Sequence, residues 1–356
     1  MVIYKKKMSE INTTPLVSIC IPTYNGAKYI EETIECAINQ TYQNIEIIIS
    51  DDQSTDSTLK ICNSFALKDD RITVFQNKKN LGLLRNWCEV IDQTSKESDW
   101  IKFLFQDDLM DKTTVEKMIT SAINSNVDFV LCNREYIFEK NVSKKVQKGY
   151  DQIPKTGGVF TASKKYTPDE TALLIKNHFL HNCLGEPPCI FFKKSKYKHS
   201  DYPSEFIQLI DYAFILEKII DNDFYFINEK LIKFRVHNTS QSYKNTKEGS
   251  ISKEAIHKKI LVHYYEKIKI CHIILNNPKY NKIKKAIGGK SIRIISNFLV
   301  NRSLYKNIEN AEEVAQFFKS TELKKDIYHE KMTNYIYLKY VVKKIMSTQI
   351  RNKYRI

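Results

Sequence analysis

Short apolar runs that end at polar residues alternate with amphipathic stretches along the first 125 residues of the chain. The runs are rich in β-branched and aromatic residues and too short for helices, so they predict buried strands. The stretches between them have helical spacing of apolar residues. We expect strands at 16–25 (interrupted by Pro22), 45–50, 71–75 and 100–105, and helices at 28–40, 54–65, 82–91 and 113–123. This alternation implies right-handed crossovers and a mostly parallel sheet covered by helices on both faces.

The pattern changes after a fifth predicted strand at 127–132. A Lys- and Gly-rich stretch at 139–168 has little periodicity and predicts a mobile loop or lid. Beyond it we expect helices at 169–182 and 206–220 and strands at 189–192 and 224–234. The polar residues 238–250 indicate a domain boundary.

Residues beyond 250 have a helical, Lys-rich pattern. It comprises an amphipathic stretch at 254–275, a break at Gly288-Gly289 and a last amphipathic helix at 335–346 before the basic stub 351–355. The segment 251–356 carries the whole formal net charge of +15, because the first 250 residues hold equal numbers of basic and acidic side chains. Such lysines around apolar and tyrosine-bearing faces are typical of helices on an anionic membrane surface. The alternative is that the helices pack on the preceding domain and expose their lysines, as a solvated surface or a homodimer surface.

The sequence also bears on the compartment. No apolar run approaches the ~18 residues that cross a bilayer, and no signal-peptide core follows the lysines of the first seven residues. The eight cysteines lack the spacing of a disulfide framework or a zinc site, which is typical of a reducing compartment. We therefore expect a cytoplasmic protein, with the inner face of the cell membrane as a place of peripheral contact.

Acidic pairs stand where two of the predicted parallel strands end. The pair 51–52 follows the second strand, the pair 107–108 follows the fourth, and the first strand ends in the polar segment 22–25. The ligand crevice of an open α/β sheet lies beyond these strand ends. Adjacent carboxylates there are typical of a Mg²⁺ or Mn²⁺ site, in which the cation bridges protein oxygens and substrate phosphates. The alternative for the pair 107–108 is a solvated loop that caps the next helix.

No glycine-rich phosphate loop accompanies these carboxylates. The sequence lacks a Gly-x-Gly-x-x-Gly motif, and Gly289-Lys290-Ser291 is not a P-loop because Lys284 stands at the first glycine position. A nucleoside diphosphate bound at this edge would therefore depend on a carboxylate-held cation to offset its charge.

Several motifs occur together in a fixed order. They are the segments 17–25 and 47–56, Asn80-Leu81-Gly82 and Gln106-Asp107-Asp108. Over about residues 15–240 the chain resembles the family 2 glycosyltransferases of bacterial surface-polysaccharide synthesis. The resemblance implies the GT-A fold, an α/β fold with a Rossmann-like, mostly parallel central sheet flanked by helices. It implies an N-terminal extension (1–14), a catalytic domain (15–245) with a nucleotide-sugar half (15–135) and an acceptor half (136–245), and a basic helical C-terminal region (246–356).

The resemblance also implies binding residues. Those expected to bind the nucleotide sugar are Pro22, Thr23, Tyr24, Asn25, Asp51, Asp52, Asn80, Gly82, Arg85, Gln106, Asp107 and Arg235, with Asp52 at the base. Asp108 is expected to bind Mn²⁺ or Mg²⁺ directly, with His237 as a second ligand. Gly185, Glu186 and Pro187 resemble the turn on the acceptor side. Gln106 replaces the first carboxylate that many members of the family have.

The same resemblance implies that Asp211 is the catalytic base, although Ile210 replaces a glutamate that many relatives have before it. Apolar neighbours on both sides of Asp211 would desolvate its carboxylate, which raises a pKa and makes a better base. The alternative is an aspartate on the polar face of a surface helix.

The function implied is inverting transfer of a hexosyl or hexosaminyl group from a nucleoside-diphosphate sugar, a UDP-sugar by preference, to a hydroxyl of a glycan or a lipid-linked acceptor. Two alternatives remain. One is a catalytically inactive relative that binds glycan or nucleotide. The other is a nucleic-acid-binding protein that uses the basic C-terminal region, although the lysines lack the pattern of a known nucleic-acid module and we expect no nucleic acid partner.

Overall fold

We describe the protein from a computed structural model. The structure describes residues 14–151, 156–198, 206–238, 253–293, 295–296 and 299. The chain divides into two compact units. Unit 1 comprises Met1–Glu135, Pro187–His199 and Glu229–Phe234, and unit 2 comprises Tyr136–Glu186, Ser200–Asn228 and Arg235–Ile356.

Over residues 16–125, strands and helices alternate in the order that the apolar pattern predicts, with one additional short strand at Leu109–Met110. The strands are β1 (Leu16–Thr23), β2 (Ile45–Asp51), β3 (Ile72–Gln76), β4 (Ser98–Phe103), β5 (Leu109–Met110), β6 (Phe129–Phe138), β7 (Lys164–Tyr166), β8 (Ile190–Lys193) and β9 (Phe224–Val236). The helices are α1 (Ile30–Ile38), α2 (Thr58–Ala66), α3 (Leu83–Asp92), α4 (Thr114–Ser125), α5 (Lys144–Asp151), α6 (Thr156–Val159), α7 (Pro168–Ile175), α8 (Ile210–Ile219), α9 (Lys253–Asn276) and α10 (Asn281–Ile287).

The sheet of unit 1 has the strand order β3-β2-β1-β4-β8-β6-β9-β5. β1 pairs in parallel with β2 and β4, and β2 pairs in parallel with β3. β8 runs antiparallel to β4 and to β6, and β5 runs antiparallel to β9. The predicted α/β class with helices flanking a mostly parallel sheet is confirmed. The antiparallel pairing of the later strands is an addition that the apolar pattern did not predict.

The core of unit 1 explains why its strands are continuous apolar runs. β1 and β2 are buried almost from end to end, as strands covered on both faces must be. Trp100 of β4 stacks on Phe191 of β8 with ring centroids 4.9 Å apart. Trp87 of α3 stacks on Phe105 at 4.8 Å, so both tryptophans belong to the core.

Pro22 lies within β1, whereas the sequence pattern predicted an interrupted strand. Proline cannot donate a ladder hydrogen bond and is usually confined to strand edges. Here the pairing of β1 with β4 ends at Cys20 and Phe103, whereas the pairing with β2 continues through Pro22 and Ser50 to Thr23 and Asp51. Pro22 therefore lies where only one neighbour remains, and its missing N–H breaks no ladder.

Unit 2 contradicts one prediction of the sequence pattern. The stretch 139–168, predicted as a mobile loop or lid, contains α5, α6 and β7. β7 pairs antiparallel with the first residues of β9 (Tyr166 opposite Phe224), and Phe160 packs against the rings of Tyr166 and Phe224. Aromatic contacts at irregular spacing stabilise this stretch, so the hydrophobic periodicity of the sequence did not reveal its helices and strand.

Other elements of unit 2 shift their bounds. α7 ends at Ile175 instead of 182, and it begins with a capping box between Thr167 and Glu170. α9 spans the predicted amphipathic stretch, and α10 ends before Gly288, whose φ of +89° suits glycine. The predicted helix at 335–346 and the stub 351–355 lie outside the described residues. None of the helices in the described part of the chain has both the length and the apolar character needed to cross a membrane.

Candidate functional site

The ends of β1 and β2 meet at one edge of the sheet in unit 1. Thr23 and Asp51 are register partners at this edge, and both are buried. Asp51 Oδ2 accepts from the N–H of Ser54 (3.0 Å) and from Gln76 Nε2 (3.2 Å). Among the described residues, neither Thr23 Oγ1 nor Asp51 Oδ1 has a hydrogen-bond partner. Two adjacent strand ends thus bring buried polar oxygens together where a ligand crevice is expected.

Asp52, which follows β2, organises the start of α3. Its carboxylate accepts three hydrogen bonds, from the N–H of Leu81 (2.7 Å), the N–H of Gly82 (2.8 Å) and Asn77 Nδ2 (2.9 Å). Asn80 Nδ2 donates to the backbone carbonyl of Asp52 (3.0 Å). Gly82 has a φ of +81°, a conformation that glycine adopts without strain. The expected site residues Asp52, Asn80 and Gly82 therefore form one loop contact, whereas Arg85 lies exposed on α3.

A buried amide network supports this contact. Asn77 follows β3, and its Nδ2 also donates to Asn86 Oδ1 (3.0 Å). Ser50 donates to the same Asn86 oxygen (2.7 Å), and Asn86 Nδ2 donates to the carbonyl of Ser50 (3.1 Å). The sequence predictions missed Asn77 and Asn86. Asn77 could have been found by the rule that identified Asp51 and Asp52, since it too stands at the end of a parallel strand.

The loop after β1 is tied to the loop after β2. Asn25 has a φ of +50°, its N–H donates to Ser54 Oγ (2.9 Å), and its Oδ1 accepts from the N–H of Thr55 (2.7 Å). The N–H of Gly26 donates to Thr58 Oγ1 (2.8 Å). Tyr24 keeps 46% of its surface exposed, so the ring of this expected nucleotide-binding residue is accessible to a ligand.

Gln106 engages the backbone of Tyr24 in both directions. Its Oε1 accepts from the N–H of Tyr24 (2.7 Å), and its Nε2 donates to the carbonyl of Tyr24 (3.1 Å). A Cβ on Gly26 would overlap the Gln106 amide, so Gly26 leaves room for it. The residue that stands where many relatives have a carboxylate thus ties the loop after β1 to the loop after β4.

Asp107 and Asp108 follow β4, with Asp108 buried and Asp107 half-buried. The N–H of Asp108 donates to the carbonyl of Phe105 (3.0 Å). Thr33 of α1, which the sequence predictions missed, donates its hydroxyl to the carbonyls of Gln106 and Asp108 (3.0 Å each). The loop that carries the carboxylates is therefore fixed from the α1 side.

Lys102 lies fully buried in β4, six residues before Asp108. Its Nζ donates to the carbonyl of Pro188. Burial lowers the pKa of the Lys102 ammonium, and the negative charge of Asp108 is among the influences that oppose that shift. A buried lysine near Asp108 was not predicted, because a single lysine in an apolar run carries no signal of its own.

The expected residues of unit 2 lie on α8, on β9 or just after it, and in the segment before Pro187. Asp211 is the second residue of α8 and is half-buried, between the buried side chains of Ile210 and Tyr212. Gly185 has a φ of +103°, and Glu186 is buried. Arg235 of β9 lines a cavity of about 480 Å³ together with the segment 137–141, and His237, just after β9, is buried.

Oxygen ligands at the strand ends suit a hard divalent cation. Mg²⁺ typically binds through one or two carboxylates, with waters and substrate phosphates completing its shell, and Mn²⁺ accepts the same oxygens and also imidazole. Asp107 and Asp108 are carboxylates of unit 1, and His237 is a buried histidine of unit 2. Within the described residues, no group of three or more His, Cys, Asp or Glu side chains is arranged to hold a metal ion.

The chain is similar to known glycosyltransferases in sequence. Residues 18–198 match the family described as "Glycosyl transferase family 2". An uncharacterised glycosyltransferase of Haemophilus influenzae is 27% identical over 283 residues, which are 77% of this chain and 84% of the relative. A putative teichuronic acid biosynthesis glycosyltransferase of Bacillus subtilis, TuaG, is 33% identical over 118 residues, which are 33% of this chain and 46% of that protein.

Solved structures are similar in fold. The crystal structure of residues 1–349 of S. aureus TarS in complex with UDP-GlcNAc has a TM-score of 0.55 and 16% sequence identity. The match covers 86% of this chain and 91% of that structure. At this level of identity the likeness concerns the fold alone, and it agrees with the GT-A architecture expected from the sequence.

Proposed function

Because the chain belongs to glycosyl transferase family 2, we propose that it transfers a sugar from a nucleoside-diphosphate sugar to an acceptor hydroxyl with inversion at the anomeric carbon. The observation that carries this proposal is the convergence of Thr23, Asp51 and Asp52 at the ends of two parallel strands, with Asp108 after a third. A nucleotide ligand would find its polar partners at this edge.

The donor proposed is a UDP-sugar. Tyr24 offers an exposed ring for the base, and the buried oxygens of Thr23 and Asp51 can accept hydrogen bonds from base or ribose. Asp52 would act partly through the loop that it fixes at Asn80 and Gly82. The structure of TarS with UDP-GlcNAc supports the choice of a UDP-sugar as the first donor to assay.

Asp108 is proposed to hold Mn²⁺ or Mg²⁺, with His237 as a second ligand, and Asp107 is proposed to contact the nucleotide sugar. When bound, such a cation offsets the charge that develops on the departing nucleoside diphosphate. Lys102 places a buried amine near Asp108 from within β4. Arg235, beside the cavity of unit 2, is proposed as a further contact to the diphosphate.

Asp211 is proposed as the base. Its carboxylate would take the proton of the acceptor hydroxyl while the acceptor oxygen bonds to the anomeric carbon, and the bond from that carbon to the diphosphate oxygen breaks on the opposite face. The half-buried position between Ile210 and Tyr212 supports this role, because partial desolvation makes a carboxylate a stronger base. Gly185, Glu186 and Pro187 are proposed to form the acceptor side.

The acceptor proposed is a glycan or a lipid-linked glycan in the synthesis of a cell-surface polysaccharide. The similarity to TuaG, named for teichuronic acid biosynthesis, supports this class of acceptor. We propose a cytoplasmic enzyme that contacts the inner face of the cell membrane through the basic region 251–356, with a homodimer through the same region as the alternative.

A panel of UDP-, GDP- and dTDP-sugars tests the function, with release of nucleoside diphosphate measured with and without Mn²⁺ and Mg²⁺. Turnover of at least one donor is expected. If the wild-type protein converts none of them, the proposed glycosyltransferase activity is refuted. Asp211→Asn should lower kcat by about 10²–10⁴-fold while donor binding survives. Asp108→Ala should weaken metal-dependent donor binding. Asp221→Asn, just beyond the far end of α8, is the matched control and should leave kcat unchanged.

A further inference from the structure

A carboxylate from the C-terminal region holds the turn that leads into α8. Glu266 of α9 accepts hydrogen bonds from three consecutive backbone N–H groups, those of Ile207 (2.6 Å to Oε1), Gln208 (3.0 Å to each oxygen) and Leu209 (2.8 Å to Oε2). Glu266 is fully buried, and 57 to 59 residues separate it from its partners. One side chain therefore fixes the whole turn.

α8 has no cap of its own. Leu209 occupies the N-cap position, and no side chain there accepts a hydrogen bond from the first turn. Helices usually begin at Ser, Thr, Asp or Asn, whose side chains accept from the first free N–H groups and fix the entry of the chain. In this protein the carboxylate of Glu266 supplies the acceptor from another helix, and it binds the N-cap residue and the two residues before it.

The far end of α8 is bound by the same region. Glu217 accepts from Lys279 Nζ (2.6 Å) and from the hydroxyl of Tyr280 (2.6 Å). Both donors follow α9 in the chain, and Tyr280 is buried. Residues after 253 thus hold α8 at its beginning and near its end, but only the contact at the beginning adjoins Asp211.

Glu266 is a costly residue to keep at this position. Burial raises the pKa of its carboxyl group, whereas the hydrogen bonds from the three backbone N–H groups lower it. A buried carboxylate is tolerated only when its oxygens are satisfied, and N–H donors to a charged acceptor form stronger bonds than neutral pairs. The protein therefore keeps a buried carboxylate whose hydrogen bonds all serve to fix one turn of the backbone.

We propose that Glu266 is a positioning residue for Asp211, which makes the basic C-terminal region part of the framework of the active site. The inference rests on the proposed function, in which Asp211 takes the proton of the acceptor. Asp211 lies two residues after Leu209, so a shift of this turn moves its carboxylate directly. A displacement of the order of 1 Å in a reacting group can lower a rate by about 100-fold.

Glu266→Gln in the full chain tests the proposal. The glutamine keeps one oxygen acceptor and turns an NH₂ group toward N–H donors, so the turn loosens while the side chain keeps its size. The substrate is whichever of UDP-glucose, UDP-galactose, UDP-N-acetylglucosamine, GDP-mannose and dTDP-rhamnose the wild-type chain converts fastest with Mn²⁺. Water is the acceptor, and the readout is release of nucleoside diphosphate. We expect kcat to fall by about 10- to 100-fold with the KM for donor within about 3-fold of wild type.

Glu217→Gln is the matched control, because it loosens the other end of the same helix. Its kcat should stay within about 3-fold of wild type at a temperature at which both variants are folded. Equal kcat losses in the two variants would overturn the positioning role. Asp211→Asn in the same assay separates the two proposals. If it keeps full turnover, Asp211 is not the base and the inference falls with that assignment. If it is inactive while Glu266→Gln turns over normally, only the inference fails.

Hydrogen exchange provides a readout that does not depend on activity. In the wild-type chain the amides of Ile207, Gln208 and Leu209 should exchange slowly, although the Ile207 side chain is 67% exposed. Exchange of the peptide that spans 206–210 should speed up in Glu266→Gln and stay slow in Glu217→Gln. Fast exchange in the wild-type protein would overturn the proposal even if Glu266→Gln fails to fold. In that case Glu266→Asp, which keeps the charge on a shorter side chain, replaces it in the rate assay.

Discussion

Asp52→Asn is the sharpest test of the loop contact at the edge of the sheet. The substitution keeps the shape of the side chain but turns one carboxylate oxygen into an NH₂ group. Asp52 accepts from the N–H groups of Leu81 and Gly82 and from Asn77 Nδ2 over 2.7–2.9 Å. The asparagine oxygen can retain the pair at Leu81 and Asn77, whereas its nitrogen would face the N–H of Gly82.

The expected loss of stability in Asp52→Asn follows from these three hydrogen bonds. A donor left unsatisfied at Gly82 costs about 1–3 kcal/mol. The two remaining bonds change from charge-assisted to neutral, which removes about 1 kcal/mol each. We therefore expect a loss of about 3–5 kcal/mol in the free energy of unfolding and a fall in Tm of about 10 °C.

Thermal unfolding measures the stability, and calorimetric titration with UDP and Mn²⁺ measures the ligand site. If the loop at 80–82 forms part of that site, UDP affinity should fall by at least about 10-fold, since each 1.4 kcal/mol is a factor of ten. Asp69→Asn is the control, because it removes a carboxylate of unit 1 that pairs with Arg71 instead of the strand ends. It should cost at most about 1 kcal/mol and leave UDP affinity unchanged. A fall in Tm of less than about 2 °C in Asp52→Asn would refute the reasoning.

Three further predictions concern other parts of the chain. Gly26→Ala should lower the free energy of unfolding by about 1–2 kcal/mol, because the added Cβ displaces the Gln106 amide from the backbone of Tyr24. In the double variant with Gln106→Ala, the two losses should be less than additive. Strictly additive losses in urea unfolding would contradict the contact. The hydrogen bonds from Arg71 hold the pKa of Asp69 below its ordinary value of 3.8, so its stabilisation is present above that value and is lost as the pH falls through the lowered pKa. The stability difference between wild type and Asp69→Asn should accordingly shrink between pH 6 and about pH 2, and a constant difference would refute it. The full chain should float with phosphatidylglycerol vesicles at about 0.1 M salt and not with phosphatidylcholine vesicles, and absence of flotation would end the membrane proposal.

The sequence predicted the parallel strands well, because their local apolar pattern directly reflects their burial in the folded protein. β1 and β2 are buried on both faces, so their apolar runs mark them without knowledge of any partner. The polar groups that end these strands could be predicted to share an edge because the strands are parallel, and Thr23 of β1 lies opposite Asp51 of β2 as that rule requires.

The parts that the sequence did not predict depend on partners far along the chain. Nothing near Gln106 indicates that its amide binds the backbone of Tyr24, 82 residues away. Glu266 looks like any glutamate on an amphipathic helix until the turn at 207–209 is packed against it. The prediction for the stretch 139–168 was wrong for a related reason. Phe160 and Tyr166 pack against Phe224, which lies far along the chain.

The chain returns to unit 1 twice after leaving it at Glu135, first to add β8 beside β4 and later to add residues 229–234 of β9. A growing chain on the ribosome that has not yet released Ile190 therefore carries β4 as an open strand edge with bare backbone donors and acceptors, a template for wrong pairing with other chains. The β4 edge is made well before the strand that covers it, and chaperones that bind nascent chains should be needed most before the first of those returns.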